Sequence, residues 1–242
     1  MSLSNPNQNK PSPSTRWFEW RGGNGTIRYY DKDTKKAVEV AVSKEKPFKF
    51  IVLDKLATVK GYSKRVGNIF SNEVRDTRSE PLVVKSKDGG KIAEGLWSDI
   101  KEKVQVARGG FCINLYIAFK AGDKLAIGVL QIKGCSLGPW IDFHKSHRDV
   151  IENGKKSVSI TGFTTDTTGE VEFAKPEFGL SDITPESYAQ AKALDGKLQE
   201  HFAAYFSKPT VARAEEPPQH DDPDPAPEPA TEPPPEEDSV PF

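Results

Sequence analysis

Cysteine is scarce in this chain: only Cys112 and Cys135 occur in 242 residues, in apolar surroundings and at a spacing that matches no zinc motif. A disulfide framework is therefore not expected, and two free thiols buried in a reducing compartment are. Long apolar runs are also missing. The N-terminus, MSLSNPNQNKPSPS, has no apolar core of a secretory signal, and no stretch is apolar for long enough to span a bilayer. An intracellular, soluble protein is expected.

The motifs of catalysis are absent too. There is no GxxxxGK[ST] loop for a nucleoside triphosphate, and the glycines of RGGNGT (21–26) open no helix, so they read as a hairpin turn. Only four histidines occur, one of them beyond Glu215. His144 and His147 sit at i, i+3 in HKSH without a carboxylate or thiolate at helical spacing, which favours a surface or packing role over a metal site. No Ser/His/Asp or Cys/His arrangement stands out. The expectation is a protein that is not an enzyme and carries no cofactor and no metal.

What the chain does have is a separation of charge. From Glu215 onward there are ten acids and neither lysine nor arginine; the remainder holds 34 basic residues against 25 acidic ones, an excess of nine. A basic body seeks polyanions, and a run of like charge is usually an interaction tail. The stretch 215–242 also holds ten of the nineteen prolines and almost no large apolar side chain. Such a segment cannot bury enough surface to offset its ordering entropy. The expected organisation is a disordered N-terminus at 1–14, a folded domain at 15–207, and a disordered, acidic, proline-rich tail at 208–242.

Within the domain the pattern is mostly strand. RWFEWR (16–21) alternates, PFKFIVLDKLATVK (47–60) and RVGNIFSNEV (65–74) are rich in β-formers, and PLVVKS (81–86) and KIAEGLW (91–97) flank the turn KDGG. SDIKEKVQV reads as a short helix with Ser98 as its cap and Ile100 and Val104 on one face. GFCINLYIAFK (110–120) and KLAIGVLQIKG (124–134) are two more strands. A helix is expected around Trp140 to Ile151, then a hairpin from KSVSITGF and GEVEFAKPEF. A final helix begins with Thr184 as cap and Pro185 at its first position; Tyr188, Ala191, Leu194, Leu198, Phe202 and Tyr205 form its apolar stripe. Strands, then a helix, then two strands is the order of the OB-fold, a five-stranded Greek-key barrel that binds oligonucleotides or oligosaccharides. The expected class is thus mainly β: such a barrel with additional strands and a C-terminal helix.

A barrel of this kind would hold single-stranded nucleic acid with cations for the phosphates and aromatic faces for the bases. The loop GYSKRVG (61–67) offers Tyr62, Lys64 and Arg65, with Lys60 just before it and glycines at both ends. The loop KAGDK offers Lys120 and Lys124. Asn68, Phe70 and Asn72 share a face by period two, followed by Arg75 and Arg78; Lys85 points away from Leu82 and Val84. Phe70 could equally be core, Trp97 and Tyr116 are expected to be core or partly buried, and at most one of Trp17 and Trp20 can face a ligand.

The tail ends in EEDSVPF. This tip is similar to the Asp-Asp-Asp-Ile-Pro-Phe end of bacterial single-stranded DNA-binding proteins, departing from it by Ser239 and by Val240 for isoleucine. FIVLDKLATVKGYSKRVGNIFSNEV, GLWSDIK and GCSLGPWIDF, within residues 47–143, resemble an OB-fold family of phage DNA-binding proteins. The resemblance implies a non-catalytic protein of phage DNA replication, recombination and repair, located in the host cytoplasm, that coats single-stranded DNA without sequence preference. It also implies that replication and recombination proteins bind the tip through Glu236, Glu237, Asp238, Val240, Pro241 and Phe242. Two other readings remain open: an acidic-tailed adaptor or chaperone whose barrel binds protein, and an OB-fold protein that binds RNA. A homo-oligomer is compatible with all three.

Overall fold

The aromatic alternation of RWFEWR sends Phe18 and Trp20 into the interior, at 3% and 4% exposure, and leaves Trp17 half-buried on the opposite side. This is the first strand in a computed structural model that describes residues 12–31, 34–88 and 90–215. In chain order the strands are β1 (Arg16–Arg21), β2 (Thr26–Asp31), β3 (Lys36–Ala41), β4 (Phe48–Ser63), β5 (Gly67–Ser71), β6 (Leu82–Ser86) and β7 (Gly90–Gly95). Helix α1 (Trp97–Val106) follows, then β8 (Gly109–Ala121), β9 (Lys124–Lys133), α2 (Leu137–Glu152), β10 (Lys156–Thr168), β11 (Val171–Asp182), α3 (Pro185–Phe206) and the short α4 (Thr210–Glu215).

The strands join in one mixed sheet whose path is β3-β2-β1-β9-β8-β4-β5-β6-β7, with β10 pairing β11 and the start of β4. Along this path only β1 and β9 run parallel, Arg16 to Glu19 against Gly128 to Gln131. The expected succession of strands, helix and strands is present from β4 to β9. Their closure into a barrel is not seen: the sheet is open, and β3 and β7 end its path among the described residues. Closure needs the outer edge of β9, and β1 occupies that edge. The strands β2 and β3 went unread in the sequence; β3 (KAVEVA) is almost wholly exposed and lacks a buried apolar face.

Two layers bury the sheet. On one face Phe18, Trp20, Ile113, Leu115, Ile117, Leu130 and Ile132 meet Trp140 and Ile151 of α2 and Val158 and Ile160 of β10. Each fully buried side chain of this size contributes about 1.5–3 kcal/mol. A smaller lobe packs Val59, Ile69, Leu82 and Val84 against Ile100 and Val104 of α1. Ser98 does not cap α1; the helix starts earlier, after Leu96, and the Ser98 hydroxyl donates to Asp99. Thr184 does cap α3, accepting from the Ser187 amide at 3.1 Å. That helix lies on the other face of the sheet, where Leu198 and Phe202 cover Leu56, Tyr116 and Val129. Beyond the expected domain edge at 207, α4 buries Arg213 and Ala214. Both cysteines are free; Cys112 is buried, and burial pushes its thiol up to about 12, while Cys135 is half-buried. Among the described residues no helix is long and apolar enough to cross a membrane.

Candidate nucleic-acid interface

In a sheet, residues directly opposite one another share a face. Lys60 of β4 stands opposite Phe70 of β5 and Gly110 of β8, Phe70 stands opposite Lys85 of β6, and Tyr62 stands opposite Asn68. Five expected site residues, Lys60, Tyr62, Asn68, Phe70 and Lys85, therefore line one face, the one turned away from the main core. All five are half-buried. Gly110 leaves open backbone beside Lys60, since a side chain there would meet nothing closer than 3.8 Å.

The same face continues across the sheet as a row of polar groups: Thr58 opposite Cys112 and then Lys133, and Asn114 opposite Gln131 and then Glu19. Glu19 holds Lys133 at 3.1 Å, Arg21 at 3.3 Å and Arg28 at 3.6 Å. Burial works to raise its carboxyl, but these three cations together hold it below the ordinary value. Glu73 sits over the next row, accepting from the Tyr116 hydroxyl at 2.7 Å and from the Asn114 amide. Burial raises the Glu73 carboxyl against the pull of those two bonds and of Lys60. Burial likewise lowers Lys60, with Lys133 adding to the effect and Cys112 and Glu73 opposing it. The Lys60 ammonium lies 6.0 Å from the centre of the Trp17 ring.

At its rim the face ends in the β4–β5 turn. Lys64 and Arg65 are exposed there, and neither side chain has a hydrogen-bond or ion-pair partner among the described residues. The turn between β6 and β7 packs alongside, the Lys87 amide donating to Asn68 at 2.9 Å and the Asp88 amide to Val66 at 3.3 Å. Gly67 closes the β4–β5 turn at φ 70°, with the Asp88 carboxylate where a side chain would start. The positive φ favours glycine here, and a larger residue would also have to displace the Asp88 carboxylate.

Other expected residues are elsewhere. Asn72 is 1% exposed, and its amide is spent on the backbone: it donates to Pro81 at 3.1 Å and accepts from Val83 at 2.7 Å. Arg75 donates to both oxygens of Asp54 at 3.2 and 3.0 Å and lies between the rings of Phe202 and Phe206, 5.4 and 5.2 Å away. Arg78 is exposed and bonded to Asp76 at 3.2 Å. Lys120 and Lys124 are exposed at the far end of β8, separated from the Lys60 end by about ten residues or ~33 Å of strand. The partner-binding residues of the tip lie outside the described residues. His144 meets Lys55 at 3.4 Å and Glu152 at 3.6 Å, and among the described residues no group of three His, Cys, Asp or Glu could hold a metal.

Two side chains of the face escaped the sequence reading as binding residues. Trp17 was marked only by its alternation against Phe18 and Trp20; Trp20 is spent on the core, its indole N–H donating to Ala174 at 2.8 Å. Lys133 stands on the face by its register opposite Cys112, and its partner Glu19 comes from β1, more than a hundred residues earlier in the chain. Comparison of the chain with protein-family models, with curated proteins and with solved structures returns no match.

Proposed function

We propose that this chain is a non-enzymatic single-stranded DNA-binding protein, coating DNA largely without sequence preference during phage replication and recombination. The observation that carries the reading is the in-register row Lys60–Phe70–Lys85 with Tyr62 and Asn68 beside it, on the sheet face opposite the main core. Ammonium groups there neutralise phosphates, and the rings of Phe70 and Tyr62 stack on bases of any identity. Lys64 and Arg65 extend the charge to the rim. The strands β4 to β9 act as an OB-like unit, opened by the insertion of β1. No cofactor takes part.

The acidic tail suits the same reading. Ten acids on a proline-rich tether compete with DNA for the basic face, weakening non-specific binding and freeing the tip when DNA is bound. The tip then recruits replication and recombination proteins, Phe242 filling an apolar hole and its carboxylate meeting a cation.

The test is a fluorescence titration with mixed-sequence DNA oligonucleotides and oligo-dT at rising salt, alongside the matching RNA. Binding should be insensitive to sequence and fall steeply with salt. Phe70→Ala should weaken it by roughly 5- to 150-fold, the worth of one stacked base. Binding flat in salt, or unchanged in Phe70→Ala and Lys60→Ala, would return the face to ordinary protein surface and favour an adaptor. Tighter binding of the RNA would assign the face to RNA.

A further inference from the structure

Helix α1 ends at Val106 with Ala107 as its C-cap, and the next residue, Arg108, takes the left-handed conformation at φ 72°. That position after a helix is where glycine is favoured, since any side chain is strained there. Two glycines, Gly109 and Gly110, follow immediately, yet arginine occupies the strained site. Backbone strain of this kind persists where the surroundings over-determine it, and it concentrates at functional sites. Here the surroundings do over-determine it. The Arg108 amide donates to Gln105 at 2.8 Å, and its carbonyl presses so closely on Gly61 that a side chain on Gly61 would begin 2.3 Å away.

The location is specific. Gly61 pairs with Gly109, and the residue after Gly61 is Tyr62. Arg108 therefore enters the sheet beside the rim that carries Tyr62, Lys64 and Arg65. Its side chain is exposed and has no hydrogen-bond or ion-pair partner among the described residues. The other non-glycine residue with positive φ among the described residues, Lys35 at 54°, lies in the turn between β2 and β3, where no rim residue is its neighbour in sequence or register.

We infer that Arg108 is a further phosphate-contacting residue of this interface, completing a cationic rim with Lys64 and Arg65. It takes the phosphodiester backbone of a single strand, and the strained backbone is retained for its guanidinium. The inference rests on the nucleic-acid reading given above.

The substitution Arg108→Gly separates folding from binding, because glycine suits the backbone better than arginine does. Its melting temperature should equal or exceed that of the wild type. Its affinity for oligo-dT at low salt should fall roughly three- to tenfold, and the slope of log K against log salt should shrink by about 0.7, as for one single-strand phosphate lost. Arg108→Lys should recover most of both. If the wild type binds oligo-dT and Arg108→Gly binds equally well with the same slope, Arg108 is no part of the interface, while the nucleic-acid reading stands. A lowered melting temperature in Arg108→Gly, or no recovery in Arg108→Lys, would assign Arg108 a structural role instead. If the full-length wild type itself binds no oligonucleotide, the reading and the inference fall together.

Discussion

The two ends of one sheet face leave the same residue types in opposite states. At the α3 end, Arg75 and Arg213 are held: Arg75 by Asp54 and the rings of Phe202 and Phe206, Arg213 by the Tyr205 and Phe206 rings and the Glu73 carbonyl at 3.2 Å. At the rim, Lys64 and Arg65 have no such partners among the described residues, and Phe70 and Tyr62 stay half-buried. Aromatic and basic residues together do not mark a binding site. What separates the ends is whether each cation's field is already satisfied within the fold.

The sharpest way to break this comparison is Phe202→Ala. Phe202 is 2% exposed and meets Tyr116 edge-to-face at 4.8 Å. Its truncation should cost about 3–5 kcal/mol in urea unfolding, while the folded protein keeps its affinity for oligo-dT. A loss under about 1 kcal/mol would show that α3 is not docked as described, and the contrast between the ends would dissolve.

Glu19→Gln tests the ground between the ends. Because the folded carboxyl lies below its ordinary 4.5, Glu19 contributes stability above that pH, and the contribution is lost as pH falls through the folded value. The substitution should therefore cost about 1–3 kcal/mol near neutrality, leaving three cations without their acid. The gap between wild type and variant should narrow in denaturant melts taken at falling pH below 4.5. A gap that is constant with pH would mean that Glu19 does not organise Lys133, Arg21 and Arg28.

The smallest effects come from a matched pair. Arg75→Ala should lower stability by about 1 kcal/mol and leave DNA binding alone. Lys64→Ala should leave the melting temperature unchanged and reduce the salt slope of binding by about 0.7. The reverse assignment of these two results would invert the reading of the face.

Periodicity carried much of the fold. The alternation of RWFEWR, the run 47–60, the stripe of α3 from Ala191 onward and its Thr184 cap were legible, because each is a local pattern with a local cause; Tyr188, read as the start of that stripe, is exposed. Ser98 misled, since a good capping residue one step inside the helix looks the same in sequence as one at its boundary. For the face, Asn68, Phe70 and Lys85 follow from strand alternation; Tyr62 reads as a loop residue in GYSKRVG, with Lys60 just before it, but β4 runs on to Ser63 and holds both in the sheet. Asn72 continued the same alternation, but β5 ends at Ser71 and the amide turns inward to bond Pro81 and Val83. Arg75 looked like one more cation until α3, more than a hundred residues later, supplied its rings.

Residue order alone prescribes a mainly β body of excess positive charge, the helices that flank its strands, and a rim loop rich in cations and glycine. These follow from composition and from patterns a few residues long. The open sheet, the presence of Trp17 and Lys133 on the face, and the departure of Arg75 and Asn72 from it are set by long-range packing. Each of those outcomes depends on which strand edge or helix arrives from a distant part of the chain. A side chain's partners are set by that arrival, and nothing in its own neighbourhood of sequence records it.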